Sequence, residues 1–593
     1  MILVFGGTTE GRRAVEVLEK AGTAYYYSTK TEEQEVALHH GIRLHGALDY
    51  KAIMTFCKEH EIRLLIDAAH PFAQQLHAAI AEIAEKLHLP AIRYERIFPE
   101  RDRSLTWIDD YAQIPTDVHS LLATTGVQTI SKLKPLEAQG IKVFYRILPR
   151  ESSIRLAKEQ GASDEQLLYY EDSTVIDVDA EAILLKESGL SGGFQEKVDA
   201  AKAKGMRIIV LKRPATPGVF HIVNGPHGLR RMVERLLPEF YPLHSGLTSG
   251  TCATAAAVGA AMMMVQGSGF RIQGSGLRVK GLPQEVPVVL PDGETIHVPV
   301  TYGDGYVSLF KEAGDDPDVT NGIEIRASVV ASETFEIRGG EGVGHFTLPG
   351  FDYPPGEPAI NKGPREMIRR NLEPFTMNHE SLTVVISVPQ GEEIAKRTFN
   401  PRLGIEGGIS IIGVSGIVEP FSEEAFIQSI RKCMKVAKAS GTERVVINSG
   451  AKSERFVKAH YPTLPSQAFV EYGNYIGETL KIANELGFRK VTLGVMLGKA
   501  VKLAEGQLDT HSRKGTMNLA FVQQMLDEAN CQLSIVNSQL SLARELWEKL
   551  PKEKTEAFSQ VVIRYCMKHC KPLVSQADLT LLLIADDGTI HSL

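Results

Sequence analysis

The stretch "VFGGTTEGRR", residues 4–13, decides the fold of the first half of the chain. A short apolar strand ends in Gly6 and Gly7, two threonines follow, and a helical pattern begins near Glu10. Glycines let the backbone approach a phosphate, and a helix N-terminus offers N–H donors and the positive end of a dipole. The stretch therefore predicts a strand–turn–helix unit of nucleotide-binding type, although Thr8 replaces the second glycine of the dinucleotide fingerprint. A plain tight turn is the alternative that stays open.

Short apolar runs alternate with helix-length amphipathic segments through the first 240 residues. The predicted strands are 2–6, 24–30, 64–69 and 91–96, then 126–132, 142–148, 182–188 and 207–213. This rhythm predicts parallel sheets covered on both faces, in two Rossmann-like lobes with a cleft between them. The second strand ends in Ser-Thr-Lys without an acidic residue, so Lys30 favours NADPH over NADH as the cofactor. A lysine that is simply solvated at the strand end is the alternative.

A second polar position follows the predicted strand at 64–69. In "LLIDAAHPFA", residues 64–73, Asp67 to His70 lie at the carboxyl end of a buried strand, where open α/β sheets bind ligands. His70 has the chemistry to hydrogen-bond an acidic substrate or to relay a proton, and Pro71 suits the first turn of the next helix. A histidine that only caps a helix is the alternative.

These stretches, with "KESG" (186–189) and "EKVDAA" (196–201), resemble the precorrin-6A reductase family, including its cobalt-precorrin form, over about residues 1–240. The resemblance implies two lobes and hydride transfer from NADPH, or NADH, to a double bond of a macrocycle. The cofactor site that it implies comprises Gly6, Gly7, Thr8, Thr9 and Glu10, to which the strand-end argument adds Lys30. The implied cleft comprises His70, the catalytic candidate, with Pro71, Lys186, Ser188 and Gly189 for substrate. A carboxylate-rich substrate needs cationic partners, and the candidates, each with a surface position as its alternative, are Arg12, Arg93, Arg96 and Lys132.

A start-like motif, "HSGLTSGTCATAAA", lies in mid-chain at residues 244–257. Its glycine-punctuated turn and alanine run predict a helix whose first N–H groups, at 248–252, can meet an anion. Because Pro and Gly end the preceding helix, we expect one domain at 1–243 and another at 244–593. Alternating segments between 285 and 339 predict a mostly antiparallel sheet, and βα rhythm returns after 382, with 408–416 as a buried strand. The whole is therefore predicted as an α/β and α+β multidomain protein.

Five ordered motifs of the second half resemble the cobalt-precorrin-5B C-1-methyltransferase family: "TSGTCATAA", "DDPDVTNG", "PAINKGPR", "TFNPRLGIEGGISIIGVSGIVEPFSEEA" and "DTHS". The resemblance implies methyl transfer from S-adenosylmethionine to a ring carbon, where positioning of two ligands matters most. We expect S-adenosylmethionine beside Gly413, Ser415, Gly416, Asn448, Ser449 and Gly450. We expect the macrocycle beside Thr248, Ser249, Gly250, Thr251, Arg365, Lys499, Thr510 and Ser512, with His511 as the catalytic candidate. The family's Gly-Asn-Tyr-Gly segment is interpreted as replaced around 448–454, and its Gly-His-x-Gly-Lys as "GVMLGK", which lacks the histidine.

Together the two resemblances imply a bifunctional enzyme of corrin-ring biosynthesis. Methylation of cobalt-precorrin-5B at C1 yields cobalt-precorrin-6A, which the reductase half would reduce to cobalt-precorrin-6B. One alternative is an active reductase whose second half only binds corrinoid. Another is a nucleotide-dependent oxidoreductase acting on a different acidic metabolite.

Composition narrows the partners and the compartment. The 593 residues carry a net charge of −7 without a long basic run, which disfavours nucleic acid as a partner. Six cysteines in so long a chain make no disulfide framework, and "CMKHC" (566–570) has the spacing of packed helix residues, so no metal site is expected. The apolar runs are strand-length and no signal peptide is visible, so we expect a cytoplasmic protein without membrane contact. Small cobalt-corrinoid substrates are the expected partners, and the sequence is compatible with a homo-oligomer.

Overall fold

The computed structural model describes residues 1–30, 36–46, 48–169, 176–268, 281–376, 381–511, 517–533, 535 and 543–593. The chain forms two compact units. The first comprises Met1–Ser245 and Val289–His297, and the second comprises Gly246–Val288 and Val298–Leu593. No helix of the described ranges combines the length and the apolarity that crossing a membrane requires.

The elements of residues 1–245 alternate between strands and helices. The strands are β1 (Ile2–Phe5), β2 (Tyr25–Thr29), β3 (Gly41–His45), β4 (Leu64–Asp67), β5 (Ala91–Tyr94), β6 (Thr106–Ile108), β7 (Ser120–Ala123), β8 (Lys142–Ile147), β9 (Leu167–Tyr169), β10 (Ala182–Lys186), β11 (Arg207–Leu211) and β12 (His221–Val223). The α-helices are α1 (Thr9–Glu19), α2 (Tyr50–Glu59), α3 (Gln74–Leu87), α4 (Ile130–Ala138), α5 (Glu151–Glu159), α6 (Phe194–Ala203) and α7 (Pro226–Leu236).

These strands form two six-stranded sheets, in the orders β12-β5-β4-β1-β2-β3 and β6-β11-β10-β7-β8-β9. All ten neighbouring pairs are parallel, which confirms the predicted Rossmann-like lobes. In each sheet the chain leaves one central strand toward both sides: β1 lies between β2 and β4, and β7 between β8 and β10. A crevice at the carboxyl ends of such strands is the usual ligand position of the fold.

One predicted strand of this half is wrong. Residues 126–132 form a 3-10 turn, Val127–Thr129, that leads into α4, and the strand is β7, which ends at Ala123. Gly126 has a φ of 90°, a left-handed conformation that interrupts any strand at this position. The run of Val, Thr and Ile had favoured a strand, but its local context is a helix start.

From residue 246 onward the elements are more varied. The strands are β13 (Gly246–Leu247), β14 (Glu285–Val289), β15 (Thr295–Pro299), β16 (Thr301–Tyr302), β17 (Val307–Phe310), β18 (Glu324–Ser332), β19 (Glu336–Gly339), β20 (His345–Phe346), β21 (Ser381–Ser387), β22 (Ile405–Glu406), β23 (Ile417–Val418), β24 (Arg444–Asn448), β25 (Phe469–Glu471), β26 (Lys490–Met496), β27 (Asp578–Ile584) and β28 (Ile590–Ser592). The helices are α8 (Ser249–Ser268), α9 (Lys362–Leu372), α10 (Gly391–Ala395), α11 (Glu423–Ala439), α12 (Ala451–His460), α13 (Ile476–Glu485), α14 (Leu497–Ala504), α15 (Leu519–Glu528), α16 (Ala543–Lys549) and α17 (Thr555–Cys570).

The second unit contains the two predicted lobes. A mixed sheet in the order β16-β17-β18-β21-β19 packs against α8, whose alanines are buried because small side chains let it approach β18 and α9 closely. A second sheet has the order β25-β24-β26-β27-β28 and is parallel except for β28. The α+β and α/β interpretation is therefore confirmed.

The predicted buried strand at 408–416 is wrong. Ile409 and Ile411 form only isolated bridges, with Val343 and Ile360, and Gly413 and Gly416 have φ values of 147° and 89°. A short apolar run cannot be assigned by periodicity alone. Here the residues form a loop in which Ile409 and Ile411 are buried, whereas Ile412 and Val414 are exposed.

Glu294 lies between β14 and β15 and caps α7 within the first unit. Its carboxylate accepts the N–H of His227, at 3.0 Å, and that of Gly228. A side chain on Gly225 would overlap this carboxyl group. Burial raises the pKa of Glu294 to about 7, although the two N–H donors oppose the shift. Residues 289–297 thus complete the start of a helix that precedes them by about 60 positions.

Candidate functional sites

The glycine turn after β1 is shaped by Tyr27 of β2. A side chain on Gly6 would overlap the Tyr27 ring, and Gly7, with a φ of 92°, donates its N–H to the Tyr27 hydroxyl at 3.3 Å. Gly11 packs against the backbone of Gly6 in the same way. The glycines are therefore required for packing as well as for the approach of a ligand.

Thr8 connects the two sides of the crevice between β1 and β4. Its hydroxyl donates to the carbonyl of Ala68 at 2.6 Å and accepts the N–H of Gly11 at 3.1 Å, so it is the N-cap of α1. Thr9 begins α1, and Lys30 lies exposed directly after β2.

Glu10 links the two lobes of the first unit. Its side chain is buried, accepts the Nε–H of Arg96 at 2.9 Å and accepts the hydroxyl proton of Ser191. Burial alone would raise the pKa of Glu10, but Ser191 and Arg96 hold it below the ordinary value. The Glu10 carboxylate is thus engaged by the protein itself, a partner arrangement that its place in the motif did not predict.

His70 follows β4 and is neutral. Its Nδ1 accepts the N–H of Phe72 at 3.2 Å, which leaves Nε2 as the protonated nitrogen. Burial, with the charges of Arg96 and Lys186, lowers the pKa of His70 to about 3. His70 therefore offers one N–H donor at neutral pH and no excess proton. Pro71 lies in a turn, because α3 begins only at Gln74.

A buried network behind His70 fixes this turn. Asp67 accepts hydrogen bonds from His77 Nδ1 at 2.6 Å and from Arg93 at 2.8 Å. Arg93 also donates to the carbonyl of Ala69, and His77 Nε2 faces the carbonyl of His70 at 3.1 Å. Burial alone would raise the pKa of Asp67, but His77 and Arg93 hold it low. Arg93 is 1% exposed, so neither a surface position nor a substrate contact describes it.

Lys186 ends β10 and has no hydrogen bond or ion pair to any other described residue of the chain. Its Nζ lies 5.0 Å from the centroid of the Phe72 ring, and the His70 ring lies 5.9 Å from the same ring. Burial, with the charge of Lys132, lowers the pKa of Lys186 to about 8. The two lobes thus bring a neutral imidazole and a titratable amine to one aromatic ring.

Ser188 and Gly189 hold Arg96 in place. The Ser188 carbonyl accepts from Arg96 at 2.8 Å, and its hydroxyl donates to the carbonyl of Gly192. Gly189 has a φ of 72°, and a Cβ there would come within 2.9 Å of the Arg96 Cβ. Both residues therefore contact the arginine that pairs with Glu10.

In the second unit, the predicted motif at 248–251 meets the loop at 412–416. Gly250 donates its N–H to the carbonyl of Ile412 at 2.8 Å, and Thr251 donates its N–H to the Thr248 hydroxyl at 3.2 Å. The Thr251 hydroxyl and the Thr248 N–H both bond the carbonyl of Gly416, and the Ser249 hydroxyl accepts the N–H of Ile412. A substrate carboxylate can reach these donors only by displacing the loop.

Gly413 and Ser415 belong to the same contact. A side chain on Gly413 would overlap Thr248, and the Ser415 hydroxyl donates to the carbonyl of Ile417 at 3.0 Å. The hydrogen bonds of this loop go to α8 and its own backbone, whereas those of 448–450 lie in the other sheet. The described contacts therefore give no link between the two halves of the predicted S-adenosylmethionine site.

Arg365 stabilises a loop of its own lobe. It donates to the carbonyls of Ile360 and Pro358 and to the carboxylate of Glu357, and its guanidinium lies 3.9 Å from the Tyr353 ring centroid. These contacts use the Nε and Nη2 donors of the guanidinium, which is predicted from the sequence to contact substrate.

The remaining predicted residues gather at the carboxyl ends of β24, β25 and β26. Asn448 accepts the N–H of Gly450 at 3.1 Å, and the N–H of Ser449 donates to Ser453. Lys499 donates to the carbonyl of Gly473, and burial lowers its pKa although the charge of Glu471 opposes the shift.

Thr510 and His511 lie next to this group. The N–H of Thr510 bonds the carbonyl of Asn474 at 3.0 Å, and the N–H of His511 bonds Asp509 at 3.1 Å. Ser512 lies outside the described residues.

Sequence reasoning missed the segment that joins these groups. "EYGNYIG", residues 471–477, carries the Gly-Asn-Tyr run that had been interpreted as replaced around 448–454. It begins at the end of β25, a strand of three residues that no apolar run had indicated. The literal tripeptide at 473–475 was the available signal.

Family models match both parts of the chain. The model described as precorrin-6x reductase CbiJ/CobK matches residues 1–232, and the model CbiD matches residues 238–420. The cobalt-precorrin-5B C(1)-methyltransferase of Prosthecochloris aestuarii is 38% identical over 365 residues, which are 59% of this chain and 95% of the relative. The enzyme of the same name from Geobacillus sp. is 37% identical over 337 residues, 55% of this chain and 88% of the relative. A solved structure, a cobalamin biosynthesis protein (cbiD) from Archaeoglobus fulgidus, is 30% identical, covers 46% of this chain and 83% of its own, and has a TM-score of 0.26.

Proposed function

Because the chain belongs to the cobalt-precorrin-5B C(1)-methyltransferase family and carries a precorrin-6x reductase domain before it, we propose a residue-level division of labour between two consecutive reactions. The chain is a bifunctional enzyme of corrin-ring biosynthesis with methyltransferase and reductase activity. In the proposed order, the second unit methylates C1 of cobalt-precorrin-5B with S-adenosylmethionine. The first unit then reduces the product, cobalt-precorrin-6A, to cobalt-precorrin-6B.

The proposal for the reductase rests on one observation, the approach of His70 and Lys186 to the Phe72 ring from the two lobes. Reduction of a double bond adds a hydride to one atom and a proton to another. A nicotinamide nucleotide supplies the hydride when bound, and the turn at Gly6 to Glu10 with Lys30 is its proposed site, with NADPH as the preferred form. Lys186 has a pKa of about 8 and is the proposed proton donor, while the Nε2–H of His70 binds a polar group of the macrocycle.

The proposed reduction excludes His70 as the acid. With a pKa of about 3, His70 carries no transferable proton at neutral pH unless the ring forms an anion, which is chemically unfavourable. Its donor N–H nevertheless orients substrate without adding a charge. The division between His70 and Lys186 follows from their two environments.

For the methyltransferase, we place the methyl donor at the turn Asn448–Gly450, near the carboxyl ends of β24 and β26. Methyl transfer from a sulfonium needs an in-line nucleophile, and the electron-rich ring carbon of the macrocycle provides it. The chain then contributes position and exclusion of water. The proposed contacts to the macrocycle are Lys499 and His511. Lys499 donates to the carbonyl of Gly473, and the N–H of His511 donates to Asp509.

The residues at 248–251, with Gly413 and Gly416, have a structural role in this proposal. Their donors are shared between α8 and the loop, so we expect them to hold the loop in position rather than a free carboxylate. The alternative of a second half that only binds corrinoid loses one of its two supports, because the Gly-Asn-Tyr run is present at 473–475.

A coupled assay tests the proposed function. The full chain is incubated with cobalt-precorrin-5B, S-adenosylmethionine and either NADPH or NADH, and the products are separated by mass. We expect the mass of one CH2 group to be added first and that of two hydrogen atoms afterwards. Reduction of supplied cobalt-precorrin-6A without any methylation of cobalt-precorrin-5B would instead support the binding-only alternative.

A further inference from the structure

Glu471 is the last residue of β25, the edge strand of the sheet β25-β24-β26-β27-β28. The chain runs from β24 through the turn Asn448–Gly450 and α12 to β25, whose last residue is Glu471. Parallel pairing places Asn448 opposite Glu471. Because β25 and β26 flank β24 on its two sides, these carboxyl ends border the crevice where open α/β sheets bind ligands.

The Glu471 carboxylate faces the glycine turn. A Cβ on Gly450 would lie 3.1 Å from Glu471 Oε1. Gly450 also has a φ of 137°, a backbone conformation that residues other than glycine rarely adopt. The turn therefore leaves open the space next to the carboxylate. A larger residue at 450 would close that space.

The carboxylate has no hydrogen-bond donor in the described part of the chain, although it is half-buried. Burial raises the pKa of Glu471, and the charge of Arg402 opposes the shift. The nearby cations have other partners: Arg402 pairs with Glu454 at 2.7 Å, and Lys499 donates to the carbonyl of Gly473. The Glu471 oxygens therefore remain available to accept hydrogen bonds from solvent or from a ligand that displaces it.

We infer that Glu471 accepts hydrogen bonds from the ribose 2′- and 3′-hydroxyls of the nucleoside that binds at the Asn448–Gly450 turn. In mononucleotide-binding α/β units, an acidic residue about 20 positions after the glycine turn, at the end of the second strand, binds the ribose hydroxyls. Glu471 has this place relative to Gly450. The inference rests on the proposed function, because it assigns the nucleoside of the methyl donor to this turn.

The first unit provides an internal contrast. Its strand β2 occupies the same position relative to β1, α1 and the turn Gly6–Thr8, and it ends at Thr29 followed by Lys30. A cationic strand end suits a phosphate, whereas an anionic one suits a diol. The two strand ends therefore differ in the way that two different nucleosides require.

Isothermal titration of the full chain tests this inference. The probes are S-adenosylhomocysteine and its 2′-deoxy analogue, and the proteins are the wild type, Glu471→Gln and the control Glu485→Gln. Glu485 is an exposed acid of α13 that pairs with Arg431. We expect the wild type and the control to bind S-adenosylhomocysteine about 10-fold or more tightly than the deoxy analogue, because a hydrogen bond to a charged group is lost. We expect Glu471→Gln to bind both probes with nearly equal, weakened affinity.

Two outcomes overturn the inference while leaving the proposed function intact. One is equal binding of the two probes by the wild type, which needs no variant. The other is full discrimination by a folded Glu471→Gln protein. If the wild type binds neither probe, the proposed methyl-donor site fails together with the inference.

Discussion

Lys186 is the residue whose environment gives the reductase a defined pH dependence. If its ammonium form donates the proton, activity is present below its pKa of about 8 and is lost as pH rises through that value. We expect kcat/KM for the reduction of cobalt-precorrin-6A to fall above about pH 8. Lys186→Met should lower the rate about 100-fold, which is the scale of general acid catalysis.

The variant Lys186→Arg separates proton donation from simple charge. Arginine keeps the positive charge but does not release a proton in this range, so the alkaline limb near pH 8 should disappear along with most of the rate. Lys202→Met serves as the control, because this exposed lysine of α6 pairs with Asp102 at the surface. A normal rate with an unchanged alkaline limb in Lys186→Arg would contradict the role of Lys186.

At the scale of elements, Glu294 makes the start of α7 depend on residues 289–297. Glu294→Ala removes the acceptor of the N–H groups of His227 and Gly228, and loss of a helix cap costs about 1 kcal/mol. We therefore expect faster hydrogen exchange at these two amides and at the first turn of α7. Glu165→Ala, a change at an exposed residue of the same unit, should leave both amides unchanged.

The elements also show which parts of the fold were accessible from the sequence. The strands β8, β26 and β27 were assigned correctly, because each has at least three consecutive buried residues within a run of six or seven residues. The three residues of β25 were too few to show a pattern, and 126–132 was wrong because β-branched residues also occur at a helix start. Element type was therefore predictable where the buried run was long.

The residues of the candidate site were likewise predicted only in part. His70 was predicted because strand ends in this fold carry ligands and are visible in the sequence, whereas Lys186 was implied only by the family resemblance. The partners of Arg93 and Arg96 were not predicted, since Asp67 and Glu10 lie 26 and 86 positions away. Such pairs depend on the register of the sheet and on the approach of two lobes, which one sequence does not display.

At the scale of the whole molecule, the two reactions should be blocked independently within one intact chain. Starting from cobalt-precorrin-5B, Lys186→Met should stop at the methylated but unreduced product. Glu471→Gln should slow methylation and yet reduce supplied cobalt-precorrin-6A at the wild-type rate. Mass spectrometry of each reaction mixture distinguishes these results, and a loss of both activities in either variant would contradict the division of labour.

The assignment of residues 289–297 to the first unit has a practical consequence for anyone who dissects the fusion. The polypeptide passes from one unit to the other three times, after residues 245, 288 and 297. A gene cut at the sequence boundary between 243 and 244 would therefore encode a reductase fragment that lacks Glu294 and leaves α7 uncapped. Its complementary fragment would carry that segment without the helix it caps. The missing helix cap would by itself explain weak activity of such fragments. Weak activity would therefore not show that one reaction depends on the other.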